Sequence, residues 1–163
     1  PNVGIVVQSY LYRTAGDVER LIALGAGVRL CKGAYLEPES VAYPAKADVD
    51  AAYLRLAERL LSPEARARGV YPALATHDPQ IIDWAKRHVA RHAIPREAFE
   101  FQMLYGIRRD LQAELAREGY RMRVYVPYGS QWYPYFMRRL AERPENVAFI
   151  ARSVWQEVRP WGR

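Results

Sequence analysis

The segment Arg29-Leu30-Cys31-Lys32-Gly33-Ala34-Tyr35 holds the densest chemistry in the chain, two cations and the single thiol beside a glycine. On a strand, successive side chains alternate, so Arg29 and Cys31 share one face while Leu30 and Lys32 take the other, and the two cations are not automatic partners. Lys32 precedes a glycine, where backbone can approach a phosphate or a flat ring closely. The structural alternative is a salt-bridged arginine in an α/β core and a solvated lysine at a turn.

A second constellation is Tyr135-Phe136-Met137-Arg138-Arg139-Leu140-Ala141-Glu142. At helical spacing Tyr135, both arginines and Glu142 share a face. Paired guanidinium forks beside an aromatic ring suit a small carboxylate, with Glu142 holding one fork. A solvated helix face is the plain alternative. Thr76-His77-Asp78 closes an apolar run ahead of a helix start, where backbone amides and the two side chains suit a phosphate or the polar edge of a nucleotide. It is no nucleophilic triad, because no serine or cysteine is tied to His77 by a motif. His88 and His92 lack the acidic companion of a metallopeptidase helix and read as surface residues. The run from Tyr125 to Tyr135 reads as a stacking platform for a ring or as ordinary aromatic packing.

These residues need elements to bring them together. Five apolar runs, Val3 to Tyr10, Val28 to Tyr35, Val70 to Ala75, Phe99 to Leu104 and Val124 to Tyr128, end in polar side chains, and an amphipathic segment follows each. That cadence is strand then helix, with chemistry at the strand ends, and in parallel α/β proteins those ends share one rim. Gly25, Gly69 and Gly119 each stand between a helical pattern and the next strand, where positive φ closes a helix. Thr14 with Asp17 reads as a capped helix start. Asp48 leads into a helix that Ser62-Pro63 interrupts or bends, and Asp78-Pro79 opens the next one. Asp110 to Glu118 is short, highly charged and expected at the surface, and two further helical patterns follow Pro134 and Pro144.

The chain has 163 residues, half of them hydrophobic, enough for one core. Its net charge of +6 favours anionic partners without choosing among them. Cys31 alone excludes an internal disulfide and a zinc site built on cysteine pairs. No metal site is expected. No apolar stretch approaches a membrane span and no signal peptide is visible, so a cytoplasmic location is the default. The chain begins at Pro1, almost directly on a strand, and reads as cut from something longer. No low-complexity linker divides it, so a single structural unit is expected over 1–163.

Five strand-helix units fit two architectures. A doubly wound five-stranded sheet is complete at about this length, whereas a (β/α)₈ barrel needs eight units and about 250 residues. Against the sheet, no glycine-rich phosphate loop follows the first strand, and polar groups end every strand instead of gathering at one switch point.

In their order, Arg29-Leu-Cys-Lys-Gly-Ala-Tyr35, Ala75-Thr-His77, Phe99-Glu-Phe-Gln-Met-Leu-Tyr-Gly106, Arg123-Val-Tyr-Val-Pro-Tyr-Gly129 and Tyr135-Phe-Met-Arg-Arg-Leu-Ala-Glu142 resemble the flavoprotein proline dehydrogenases, in the short monofunctional bacterial form. The resemblance runs over nearly the whole chain. It implies α/β architecture of the (β/α)₈ barrel kind, holding FAD at its C-terminal rim and present here as about five βα units, strands 4 to 8.

The resemblance implies roles for individual residues. Gln8, Arg29, Lys32, Gly33, Ala34, Thr76 and His77 would contact FAD, with Arg29 beside the reactive flavin edge and, with Tyr125, counted as catalytic. Arg138 and Arg139 would bind the proline carboxylate, Glu142 would orient them, and Tyr35, Leu104, Tyr125 and Tyr135 would wall the pocket. The implied reaction is oxidation of L-proline to Δ1-pyrroline-5-carboxylate, with electrons passed to a membrane quinone, so a basic protein without a span would still visit an anionic membrane surface. The family's first three strands supply a substrate-binding lysine and an important aspartate, for which this chain has no region. A flavin- or carboxylate-binding module without turnover is therefore the rival. A nucleic-acid-binding domain is disfavoured by dispersed basic residues and the lack of a recognition motif.

Overall fold

The computed structural model describes residues 3–33, 35 and 37–130. The apolar runs form strands β1 Gly4–Gln8, β2 Gly27–Cys31, β3 Tyr71–Ala75, β4 Glu100–Leu104 and β5 Met122–Tyr125. Each is shorter than or displaced from the run that predicted it: β1, β2 and β5 stop before the last residues of their runs, which belong to the rim loops, and β3 and β4 begin one residue later. Between them lie helices α1 Thr14–Ala23, α2 Lys46–Leu60, α3 Pro63–Ala67, α4 Pro79–Arg91 and α5 Arg109–Arg117.

Local chemistry accounts for most of the boundaries. Gly25, Gly69 and Gly119 all have positive φ, as expected of residues that close helices. At Gly25 the requirement is doubled, since a Cβ would lie 2.3 Å from the Arg68 carbonyl oxygen. Ser62 caps α3 by accepting from the Ala65 amide at 3.2 Å, so Ser62-Pro63 ends one helix and starts another. Asp78 caps α4 by accepting from Gln80 N at 3.0 Å. The capping box at Thr14 does not form. Thr14 is already helical, and its hydroxyl donates to the Gln8 carbonyl at 2.6 Å, while Asp17 takes the guanidinium of Arg13 at 2.7 Å. Helix α5 is not simply a surface element, since Leu111 and Leu115 are buried.

All neighbouring strands are parallel, in the order β1-β2-β3-β4-β5. A doubly wound sheet reverses its strand order at a switch point, and this one never does. With right-handed crossovers, a sheet that advances one strand at a time keeps its helices on one face. Packing agrees: Val18 and Ile22 of α1, Tyr53, Leu56 and Leu60 of α2, Ile82 and Val89 of α4 and Leu115 of α5 share a core with Val7, Val28, Leu30, Leu74, Phe101 and Met103. The expected barrel-type α/β order is thus realised over five strands. On the open edge, β1 leaves Ile5 and Val6 exposed among the described residues.

Candidate active site

Register and pleat together sort the strand side chains. Val7, Leu30, Leu74 and Phe101 follow one another through the ladders on the helix side. By alternation the opposite face carries Val6 and Gln8, Arg29 and Cys31, Ala73 and Ala75, Glu100, Gln102 and Leu104, Arg123 and Tyr125. The hydrophobic strands thus hide a second, polar face whose members lie as far apart in sequence as Gln8 and Tyr125.

Two of those members meet across the sheet. The Arg29 guanidinium carbon lies 5.0 Å from the centre of the Tyr125 ring. Strands β2 and β5 are three spacings apart, roughly 14 Å on a flat sheet. The sheet therefore curls with its polar face inside, and the two side chains lean together across the small Ala73 and Ala75 of β3. A cation over a tyrosine ring is held by the ring quadrupole, which fixes where the charge stands. Arg29 Nε is buried without a hydrogen-bond partner among the described residues. A buried donor in that condition is costly unless an acceptor arrives, so the geometry suits a ligand bearing an oxygen or nitrogen lone pair.

Lys32 goes the other way, as the alternation predicts. Its ammonium sits 2.5 Å from Asp50 Oδ1 on α2, off the direction of a well-formed hydrogen bond, and 2.7 Å from Asp78 Oδ2 at the start of α4. Burial works to raise both carboxyls, but the Lys32 and Lys46 ammoniums overcome it and hold them below the usual range. The lysine side chain is an anchor between two helices, and only the backbone of the 32–33 segment remains for a cofactor. Gly33 has φ of 112°, and the flat ring it accommodates is the chain's own Tyr10: a Cβ would lie 2.2 Å from Tyr10 Cδ1.

At the ends of β3 and β4 the expected pair is also built into the scaffold. The Thr76 amide donates to the Gln102 carbonyl at 3.2 Å, and its hydroxyl accepts from Asp78 N at 3.1 Å. His77 Nε2 accepts from the Leu104 amide at 2.9 Å, so that nitrogen is unprotonated. Burial, followed by the Arg108 charge, lowers the imidazole to about 4. Gln8 ends β1, and Thr14 fixes its carbonyl. Leu104 stands beside Tyr125 in register, and Tyr35 is exposed in the loop after β2. Ala34, Tyr135, Arg138, Arg139 and Glu142 lie outside the described residues. His88 is half-buried between the rings of Trp84 and His92, at 4.9 and 4.4 Å. Among the described residues no group of three or more ligating side chains is placed to hold a metal.

Two supports had escaped the reading of motifs. Glu100, 5% exposed on the polar face, receives both arms of the Arg123 guanidinium at 2.6 and 2.9 Å and the Gln102 amide at 2.5 Å. The period-2 alternation of Glu100 and Gln102 with apolar neighbours was the available signal. Gln112 donates to the Leu104 carbonyl at 3.0 Å and the Ile107 carbonyl at 2.7 Å, so the backbone of Leu104 is held from both sides. Nothing local in the sequence distinguishes that glutamine.

Comparison with known proteins fits this geometry. The family model described as proline dehydrogenase matches residues 1–152. The chain is 57% identical over 153 residues to a proline dehydrogenase of Deinococcus radiodurans, covering 94% of this chain and 48% of that protein. It is 52% identical over 154 residues to proline dehydrogenase 1 of Bacillus subtilis, covering 94% of this chain and 49% of that protein. The chain therefore spans about half the length of the curated relatives it matches. Among solved structures, proline utilization A from Bdellovibrio bacteriovorus, inactivated by N-propargylglycine, superposes with a TM-score of 0.76 at 35% identity, over 84% of this chain and 16% of that one. With its motifs, its unreversed parallel sheet and a family match over most of its length, this chain belongs to the proline dehydrogenase family.

Proposed function

We propose that this chain is the cofactor- and substrate-bearing portion of a single FAD-dependent proline dehydrogenase barrel, extending over 1–163 without an internal boundary. The observation that carries the reading is Arg29, a cation on the polar concave face whose buried Nε has no hydrogen-bond partner among the described residues and whose guanidinium lies 5.0 Å from the Tyr125 ring. The residues fit a flavin: a buried donor on β2 without an acceptor among the described residues, small alanines on β3 that leave room above the sheet, and rim backbone at Gln8, Lys32-Gly33 and Thr76-His77. FAD, when bound, would accept a hydride from the carbon beside the proline nitrogen, yielding Δ1-pyrroline-5-carboxylate.

The chain's own residues would act by orientation and charge. Arg29 offers a hydrogen bond and a positive field to an electron-rich ring, and Tyr125 keeps that guanidinium in place. Leu104 and Tyr35 would wall the substrate side, and Arg138, Arg139, Glu142 and Tyr135, which lie outside the described residues, would supply the grip on the carboxylate of L-proline. Reoxidation would pass electrons to a membrane quinone. A net charge of +6 favours peripheral contact with an anionic inner membrane surface from the cytoplasm, and no helix among the described residues is long and apolar enough to cross a membrane.

A second reading follows from the chain's spanning about half its relatives, with Ile5 and Val6 open along β1: a flavin- or carboxylate-binding module without turnover. One titration separates the two. Bleaching of bound flavin by anaerobic proline supports the dehydrogenase, flavin that binds and stays oxidised supports the flavin-binding module, and a chain that takes up no flavin refutes both of these and leaves only the carboxylate-binding form of the second reading.

A further inference from the structure

We propose that Tyr10 is a positioning residue whose buried ring, lodged against Gly33, sets the height of the rim segment that carries Tyr35. The inference rests on the flavin-site reading and adds to it a device that fixes the long connection at the site's rim. The connection from β2 to α2 spans residues 32–45, longer than the roughly 2 to 6 residues usual between a strand and a helix. A loop of that length at a ligand rim either wanders or is fastened. Here the segment 9–12, immediately after Gln8, fastens it at both ends.

At the outgoing end, Ser9 N donates to the Cys31 carbonyl at 2.8 Å and Tyr10 N to the Lys32 carbonyl at 3.0 Å, extending the β1–β2 ladder past its last strand residues. The Ser9 hydroxyl reaches the buried Val49 carbonyl at 3.2 Å. The Tyr10 ring, 3% exposed, then fills the space that a Cβ on Gly33 would need. At the returning end, Tyr43 N donates to the Tyr10 carbonyl at 2.8 Å, Tyr12 N donates to the Val41 carbonyl at 3.1 Å, and Leu11 bridges Ala42 antiparallel. The Tyr12 hydroxyl donates to the Glu39 carbonyl at 2.9 Å, and its ring meets Tyr43 edge-on at 4.6 Å. Tyr10, Ala42 and Val49 form a small core of their own, apart from the main one. Tyr35 stands between the two fastenings, so its position follows from how Tyr10 seats the backbone at Gly33.

The test measures FAD affinity by flavin fluorescence and amide hydrogen exchange across residues 32–45, in the wild-type chain and three variants. Tyr10→Leu, which removes the ring, is expected to weaken FAD binding about tenfold and to speed exchange in 32–45 with the strands unaffected, whereas Tyr10→Phe stays within about threefold of wild type. Tyr12→Phe, an exposed change that drops only the Glu39 contact, should speed exchange near 39–43 and weaken FAD by about threefold. Equal losses in Tyr10→Leu and Tyr10→Phe, or a loosened segment with wild-type FAD affinity in either Tyr10→Leu or Tyr12→Phe, would overturn the inference. The Tyr12 variant decides the matter if Tyr10→Leu does not fold. A wild-type chain that takes up no FAD is a distinct result, which overturns the flavin reading and this inference with it.

Discussion

Replacing Lys32 by methionine tests whether that side chain is an anchor and not a cofactor contact. The ammonium is 19% exposed and lies between Asp50 and Asp78, themselves 24% and 20% exposed. Methionine keeps most of the volume and removes the charge, stranding two largely buried carboxylates with only Lys46 nearby, which pairs with Asp50 and stands 4.0 Å from Asp78. Removing one member of a buried ion pair costs about 3 to 5 kcal/mol, and the residual exposure and Lys46 place this case near the lower end. For a domain of this size about 3 kcal/mol corresponds to a fall in melting temperature of roughly 6 to 12 °C. The pH dependence is specific. Both carboxyls lie below their ordinary 3.8 in the folded chain, so their contribution is present above about pH 4 and lost as pH falls through the folded values. Calorimetry of Lys32→Met should show the full loss at pH 7 and a smaller one at pH 3. Asn also caps helices, so adding Asp78→Asn relieves one stranded charge while keeping the cap, and should recover roughly 1 kcal/mol. A variant that melts within about 2 °C of wild type at pH 7, or a loss equal at both pH values, would refute the anchoring argument.

Three further outcomes follow from the same structure. His77 is lowered to about 4 from 6.5, so the unfolded chain holds more protons between those values and stability falls as pH drops through that window, by at most roughly 3 kcal/mol. Urea midpoints at pH 7.5 and 5 should differ in wild type and converge in His77→Gln; identical shifts in both would rule this histidine out. Gly25→Ala forces a Cβ to within 2.3 Å of the Arg68 carbonyl at positive φ and should cost about 2 kcal/mol in equilibrium unfolding, against near-neutrality for Ala at Gly16, where nothing lies within 4 Å. Glu100→Gln removes the charge that holds Arg123 and should cost about 1 to 2 kcal/mol, discounted because Arg123 is 65% exposed; an unchanged midpoint would show that the pair contributes nothing.

Much of the fold was legible because its signals are local. Glycines 25, 69 and 119 sit where positive φ is required, and Ser62 and Asp78 are caps whose geometry needs only three or four residues of sequence. The Thr14 cap was misread because its hydroxyl found a nonlocal carbonyl on Gln8, which no window of sequence reveals. Strand order is likewise nonlocal: alternation of strand and helix suits both architectures, and only the register, advancing without reversal from β1 to β5, decides between them. For the candidate site, strand alternation correctly sent Arg29 and Lys32 to opposite faces. It gave no hint that Lys32 would meet Asp50 and Asp78, or that Arg29 would cross two strands to Tyr125, since both contacts depend on helix placement and sheet curvature. The sequence offered Gly33 as a place where a phosphate or a flat ring could approach the backbone, and gave no hint that the chain's own Tyr10 would fill the space of its missing Cβ.

The most direct test of the account is a crystal structure of this chain with FAD and a non-oxidisable proline analogue. The account predicts the flavin ring on the concave face, with Arg29 donating to it from β2, Gln8 at its edge and the analogue between it and Leu104 and Tyr125. Flavin bound on the helix side, flavin at the rim with Arg29 turned away from it, or no flavin at all would contradict that claim.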